Sequence, residues 1–386
     1  MHMQTRKLGR TGLDVGGISL GTEYLINLPQ ATVVGVIHEA IARGIHYFDM
    51  FWAQPAIRDT MGASFKGYRD RAILTTHLGA IHRDGQHDKT RDTQLSAHFF
   101  LDSLQRLGTD YIDVLFLHNC DPQQDYDIVM GPGGLLELAR RFQREGKARF
   151  IGFSGHNVAT SLQAVQSNEI DVLMFPVNLA SHAAPGASDL LQACAAHNVA
   201  LVAMKPFAGG SLLRDKQTIY VEDFQLGRAE MPGAPTRFEK PMAITPVQCL
   251  SYVLDQPGLS TTVPGCKSLD ELAGALAYWN ATAQEKDYSA ILPTFAQFAN
   301  GECVYCNHCL PCSSEIDIGQ TISLLEQARP QMVAGQRPTA ELQARYDALT
   351  ANASDCIECG DCEDRCPFDV GVVAKMEEAA TLFGKH

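Results

Sequence analysis

Between residues 14 and 280, short apolar runs alternate eight times with helical periodicity, and no other feature limits the fold so tightly. The runs are ISLGT (18–22), HYFDM (46–50), AILTTH (72–77), VLFLH (114–118), RFIGFS (149–154), VLMFPVN (172–178), ALVAMKP (200–206) and TTVPG (261–265). Strands separated by single helices pair in parallel through right-handed crossovers, and eight such units predict a (β/α)8 TIM barrel, an α/β fold. In the first helical stretch, ATVVGVIHEAIARG, the spacing predicts Val34, Ile37, His38 and Ile41 on one face and a stop at Gly44. Every strand of a barrel delivers its C-terminal residue to one rim, so side chains far apart in sequence meet there. The longest interruption, 207–244, follows the seventh strand and reads either as a lid over a site or as a surface insertion.

Beyond the barrel the chain changes character. Eight of its twelve cysteines fall in two quartets, Cys303-Cys306-Cys309-Cys312 and Cys356-Cys359-Cys362-Cys366. The second reads C-x2-C-x2-C-x3-C-P, the bacterial ferredoxin run in which three thiolates hold one 4Fe-4S cluster and the fourth reaches the neighbouring one. By that rule Cys303, Cys306, Cys309 and Cys366 hold one cluster, and Cys356, Cys359, Cys362 and Cys312 the other. The first quartet departs in its last gap and has Ser313 where a proline is usual, which makes Cys312 the least secure ligand. Disulfides need an oxidising compartment, and the opening MHMQTRKLGR has no apolar signal segment. Structural zinc takes four ligands and leaves eight packed thiols without a role. Between the quartets, helical patterns around Ile322-Leu324-Leu325 and Leu342-Tyr346-Leu349 predict two helices that pack the cluster module. Cys120, Cys194, Cys249 and Cys266 lie apart in apolar or loop contexts, where core packing is expected.

These features divide the 386 residues into a barrel domain, 1–290, and a ferredoxin-like domain, 291–386. A net charge of -13 repels nucleic acid and anionic membranes, and no apolar stretch is long enough to span a bilayer. A cytoplasmic enzyme with a small-molecule substrate is expected. Acidic residues around the second quartet, Asp355, Glu358, Asp361, Glu363 and Asp364, form either a solvated face or a surface for a basic redox partner protein.

The runs RKLGRTGLDVGGISLGT, YFDMFWAQPAIRDTMGASFKGYRDRAILTT, LDSLQRLGTDYIDVLFLHNCD, IGFSGHN, MKPFAGG and TVPGCKSLDEL follow one another in an order that resembles the aldo-keto reductases, in particular the branch with an appended ferredoxin-like domain. The resemblance implies a barrel that reduces carbonyls with NADPH through a tetrad of Asp, Tyr, Lys and His at strand ends. Asp49 matches the Asp and His118 the His. Gln54 stands at the Tyr position and His77 at the Lys position. A carboxamide cannot act as a general acid, so proton delivery is expected from His77, oriented by Asp49, together with His118. Tyr24 and Trp52 are further candidates for the pocket wall.

For the nicotinamide cofactor the resemblance implies an Arg and a Glu-Asn pair after the eighth strand. Here those positions are Glu271 and Gly274-Ala275, and a carboxylate repels a phosphate. Ser154, Asn178, Gly209, Gly210, Lys267 and Ser268 remain as cofactor-binding candidates, and weak NADP(H) binding is predicted.

His77, His118, His156 and His182 all follow strands, and with Asp49 they would suit a divalent metal or a set of acid-base groups. His82 and His87, in GAIHRDGQHDK, read as a solvent-facing loop. An iron-sulfur oxidoreductase acting on a small polar carbonyl or hydroxyl compound is the function expected. A lyase, dehydratase or epimerase using the histidine rim, and an electron-transfer subunit with the barrel as scaffold, are the alternatives.

Overall fold

The computed structural model describes residues 4–213, 217–223, 236–295 and, from 301 to 384, all but 302, 304, 306, 334–336 and 367. The chain forms two compact units, Met1–Ile81 with Lys89–Phe298, and His82–Asp88 with Ala299–His386.

In the first unit eight strands form one sheet: β1 (Leu20–Gly21), β2 (Tyr47–Met50), β3 (Ile73–Leu78), β4 (Ile112–Leu117), β5 (Ala148–Ser154), β6 (Val172–Pro176), β7 (Ala200–Met204) and β8 (Leu259–Val263). They lie side by side in chain order and all pair in parallel. Bridges Ile18↔Thr262 and Gly21↔Gly265 bring the first strand beside the last, so the sheet closes on itself. Eight helices follow the strands: α1 (Gln30–Ala42), α2 (Pro55–Phe65), α3 (Thr93–Leu107), α4 (Leu135–Arg144), α5 (Val158–Gln166), α6 (Ala187–Ala196), α7 (Pro246–Leu254) and α8 (Leu269–Leu276), with a further helix, Gln123–Met130, before α4. The fold is the predicted (β/α)8 barrel, and each predicted strand overlaps an observed one.

Inward residues of several strands, among them Tyr47, Val114, Phe116, Val172, Met174, Ala200 and Val202, fill the barrel as one buried cluster. Leu8 and Val15, from an antiparallel N-terminal hairpin (Thr5–Lys7 with Asp14–Gly16), join that cluster. The hairpin sits so close that a Cβ on Gly9 would stand 2.4 Å from the backbone nitrogen of Ala200. A Cβ on Gly152 would meet the Phe116 ring at 2.3 Å, so this glycine gives Phe116 room in the barrel.

Two expectations need correction, and a third segment gains detail. The buried face of α1 is Val33, Val36, Ile37, Ala40 and Ile41, because the face is set by both the barrel and neighbouring helices; Val34 and His38 lie at its margin. The segment read as a loop around His82 and His87 forms a hairpin, Ala80–Arg83 with Gln86–Lys89, turning at Asp84 and Gly85 with φ of 51° and 80°. Two consecutive left-handed residues match the turn that returns a strand on itself. The return strand alternates, and His87 is buried rather than solvent-facing. Within 207–244, Gln217–Asp223 pairs antiparallel with Thr236–Met242, so a β-ribbon occupies the insertion; 214–216 and 224–235 lie outside the described residues.

In the second unit, α9 (Ile318–Val333), α10 (Ala340–Asp347), the short α11 (Asp361–Asp364) and α12 (Val372–Phe383) surround a separate core. Ile322, Leu325, Leu342, Tyr346, Met376 and Phe383 are buried there, with the Tyr346 and Phe383 rings stacked 4.4 Å apart. The two helices predicted between the quartets are α9 and α10.

Candidate active site

Asp49 lies on β2 opposite Thr75 on β3, and the period of two along a strand places His77 on the same inward face as Thr75. The Thr75 hydroxyl donates to Asp49 Oδ1 at 2.7 Å, and His77 Nε2 stands 3.1 Å from the same oxygen. His77 Nδ1 stands 3.0 Å from Nδ1 of His118, which follows β4. These contacts assign the protons. Asp49 accepts from His77 Nε2–H, so Nδ1 of a neutral His77 carries the lone pair and His118 Nδ1–H must donate to it. The remaining lone pair of the chain is then on His118 Nε2.

Aromatic rings enclose this relay. Phe51 stacks on His118 at 6.1 Å and 12°, meets His77 edge-on at 6.0 Å, and stacks on Trp52 at 4.5 Å. Phe116 lies against the other side of His77 at 5.1 Å. The Trp52 indole donates to the Glu23 carbonyl at 2.9 Å, tying the segment after β1 to the segment after β2. Arg91 fixes the loop after β4, donating to the carbonyls of His118 at 2.8 Å and Asn119 at 2.6 Å while pairing with Asp125 at 2.7 Å. Burial would raise the Asp125 carboxyl, but Arg91 and Lys89 hold it below its usual range. Tyr47, the tyrosine two residues before Asp49, is fully buried. Burial, and then the Asp49 charge, push its hydroxyl well above the ordinary tyrosine range, so it keeps its proton. Gln54 occupies the cap of α2 with no side-chain capping bond.

The four rim histidines do not converge. His77 and His118 share the Asp49 relay. His156, after β5, has its Nδ1 2.9 Å from Asp121 Oδ2 and its Nε2 2.7 Å from the Lys205 ammonium. His182 is exposed and bonded to the Tyr252 hydroxyl at 3.0 Å. Among the described residues the rim histidines and their carboxylate neighbours form no group of three that could hold a metal ion: His156 and His182 are each bound to partners away from the Asp49 relay. Lys205, Asp121 and the Glu23 carboxyl were missed from sequence.

The cofactor candidates have local partners. Ser154 is buried at the end of β5. Asn178 donates to the Lys205 carbonyl at 3.0 Å and accepts from Ser181 N at 3.0 Å, a cap that shapes the turn after β6. Gly209 and Gly210 have φ of 67° and 90° in the turn after β7. Ser268 caps α8 by accepting from Glu271 N, while the Glu271 carboxylate accepts from Lys267 N at 2.9 Å and lies 3.6 Å from Lys267 Nζ. An internal carboxylate therefore occupies the N-terminal turn of α8, where helix geometry would favour an anion.

In the second unit a small cavity is lined by Cys312, Cys356, Cys359 and Cys362, with Ile316 and Met376 at its wall. That quartet is the set the ferredoxin rule assigns to one cluster, and an apolar cavity ringed by thiols suits an iron-sulfur group. Gln86, in the hairpin, clasps the Cys312 backbone, donating to its carbonyl at 3.2 Å and accepting from its N–H at 2.9 Å. Cys303, Cys309 and Cys366 pack against the same core; Cys306 lies outside the described residues. Arg365 donates to the carbonyls of Cys309 and Pro311 at 3.0 and 2.5 Å, joining the two quartets' segments. Three of the five nearby acidic residues have structural partners: Asp355 accepts from Asn352 N, Glu363 accepts from Val373 N, and Asp361 pairs with Arg365 at 3.5 Å. Cys120, Cys194, Cys249 and Cys266 are buried, and burial pushes each thiol up to about 12, so they pack rather than react.

A closed parallel barrel with an Asp-His-His relay at its strand ends, followed by a thiol-rich module, defines an α/β-barrel oxidoreductase with an iron-sulfur domain. Residues 13–292 match the aldo/keto reductase family, and residues 302–371 match the 4Fe-4S dicluster domain. The chain belongs to the aldo/keto reductase family. It is 25% identical over 295 residues to the uncharacterized oxidoreductase YqkF of Bacillus subtilis, covering 72% of this chain and 92% of that protein. It is 26% identical over 162 residues to L-galactose dehydrogenase of Arabidopsis thaliana, spanning 40% of this chain and 49% of that enzyme. The holo form of aldo-keto reductase AKR11C1 from Bacillus halodurans superposes with a TM-score of 0.60 at 23% identity, covering 77% of this chain and 98% of that one. Among the described residues no helix is long and apolar enough to cross a membrane.

Proposed function

We propose that this oxidoreductase interconverts a small polar hydroxyl compound and its carbonyl form, and that His118, relayed through His77 to Asp49, handles the proton that a tyrosine handles elsewhere in the family. The unbroken Asp49-His77-His118 chain carries this reading. It stands where the tyrosine position holds Gln54, whose amide cannot release a proton at physiological pH. In the oxidising direction the substrate loses two protons and two electrons: His118 Nε2 accepts the hydroxyl proton, the C–H bond breaks with its proton passing to solvent, and one electron goes to each of the two clusters; the reducing direction returns all four. Asp49, pinned by Thr75, holds the His77 tautomer and stabilises the positive charge that arrives on the relay. Phe51 and Trp52 keep water from the imidazoles.

The cysteines are read as ligands of two 4Fe-4S clusters, Cys303, Cys306, Cys309 and Cys366 for one and Cys356, Cys359, Cys362 and Cys312 for the other, on a domain beginning near residue 291. When bound, such clusters exchange electrons singly. A soluble redox partner protein and a cytoplasmic location complete the reading. The test is anaerobic addition of small hydroxy compounds to protein with oxidised clusters: visible absorption is expected to bleach in step with carbonyl formation. Equal turnover by cluster-oxidised and cluster-reduced protein would instead favour a lyase or epimerase.

NADPH is expected to bind weakly, because Glu271 and its Lys267 contact fill the turn where a phosphate would sit. One lost charge-assisted contact costs about 1.5–3 kcal/mol, so an affinity deficit of about tenfold or more is expected. Glu271→Arg should recover part of it in a fluorescence titration. Submicromolar NADPH binding by the unaltered protein would contradict this and restore a hydride route.

A further inference from the structure

We propose that Lys205, held by His156 and Asp121, anchors a carboxylate carried by the substrate, so that the compound turned over at His118 is a small 2-hydroxy or 2-oxo acid anion. The inference rests on the proposed role of His118 and narrows its substrate class.

Lys205 follows β7 and is half-buried. Its ammonium lies 2.7 Å from His156 Nε2, and His156 Nδ1 lies 2.9 Å from Asp121 Oδ2. Asp121 also accepts from the backbone N–H groups of His156 and, at 3.1 Å, Asn157. Burial alone would raise that carboxyl, but these donors outweigh it and hold Asp121 ionised. The carboxylate therefore takes the Nδ1 proton of His156 as a hydrogen bond, which leaves Nε2 as an acceptor for Lys205. Burial, and then the charge of Lys205, hold His156 below the usual histidine range, so the imidazole stays neutral.

The consequence is a charge in search of a partner. A neutral ring stands between Lys205 and Asp121, and among the described residues no carboxylate lies within ion-pair distance of Nζ. Nearby cations are served otherwise, Lys89 and Arg91 by Asp125. An ammonium with one N–H committed to His156 has two left, enough to meet both oxygens of a carboxylate. Its backbone is also specially held: Lys205 adopts a left-handed φ of 56°, which a non-glycine residue rarely takes, and Asn178 grips its carbonyl. Such outliers gather where a side chain must be aimed.

Two observations put this ammonium beside the proton relay. His118 and Asp121 belong to one loop after β4, clamped by Arg91. The Glu23 carboxyl, raised by burial, feels the lowering effect of Lys205 and the raising effect of Asp49, so both charges act on one buried carboxyl. A substrate whose reacting oxygen meets His118 has Lys205 across the same mouth. The same ammonium chemistry would take a cofactor phosphate, which the experiment separates.

Cluster-loaded protein is titrated calorimetrically with oxamate, with oxamide, in which a carboxamide replaces the carboxylate, and with NADPH. The unaltered protein should prefer oxamate over oxamide by about tenfold or more, the size of one charge-assisted contact. Lys205→Met should erase that preference, Lys205→Arg should keep part of it, and His118→Ala should retain it while losing turnover. Equal binding of oxamate and oxamide by the unaltered protein, which needs no variant to fold, would overturn the proposal. So would a Lys205→Met protein that keeps the preference but loses NADPH affinity, which would assign the ammonium to a cofactor phosphate. Either failure leaves the His118 reading intact, because that reading is judged by cluster bleaching and by turnover of His118→Ala.

Discussion

His118→Ala and His77→Ala are each expected to lower turnover by about 10²–10⁴-fold while the clusters stay loaded, the range that removal of a positioned acid-base group produces. His118 Nε2 is the relay's outer end, so its loss removes the group that exchanges a proton with substrate. His77 acts one step behind, and without it His118 Nδ1 loses the acceptor that fixes its tautomer. Asp49→Asn should preserve the fold, since Thr75 can still bond the amide, yet depress turnover by presenting the wrong partner to His77 Nε2. Measured on protein with full iron content and unchanged circular dichroism, the ordering His118→Ala below Asp49→Asn is expected. Gln54→Tyr with His77→Lys rebuilds the family tetrad; carbonyl reduction with NADPH by that double variant would show a dormant hydride site. If both histidine variants kept full activity, the chemistry would lie elsewhere and the relay would be structural.

The barrel was legible because burial on both faces makes parallel strands near-continuous apolar runs, and VLFLH and VLMFPVN could hardly be anything else. The hairpin around His87 was not, since four-residue strands give too few alternations, although Asp84-Gly85 is a recognised turn pair. That omission hid the clasp of Gln86 on Cys312, a contact between residues 226 apart. Asp49, His77 and His118 could be named because they fall at tetrad positions of the resemblance, at the ends of adjacent strands. Lys205 also ends a strand, but its meaning depends on His156 and Asp121, on two other strands' loops, and spacing along the chain carries no trace of that. The histidine rim shows the converse error: a shared rim guarantees proximity to the mouth, not to one point, and the local partners Asp121 and Tyr252 divided the four rings.

Anaerobically prepared protein is expected to hold about eight iron and eight sulfide per chain, as two four-iron clusters require. Cys359→Ala should then lose about half of the iron, and Cys312→Ala less. Both residues line the same cavity, yet their surroundings differ. Beside Cys312 stand the wall residues Ser313 and Ser314, whose hydroxyls are available as replacement oxygen donors once the thiol is gone, while Gln86 keeps the backbone in place. On the cavity wall beside Cys359 stand Ile357, which is 66% exposed, and Gly360, neither with a donor side chain; Asp361 pairs with Arg365 at 3.5 Å, and the exposed Glu358, adjacent in sequence, is not part of that wall. Cys359 is itself exposed, so its removal opens the cluster's edge to solvent and oxidant as well as deleting a ligand. Iron and sulfide assays on the three proteins, with visible spectra, decide it. Equal iron loss in the two variants would count against the ranking, and zinc in place of iron in the unaltered protein would remove the clusters from the account altogether.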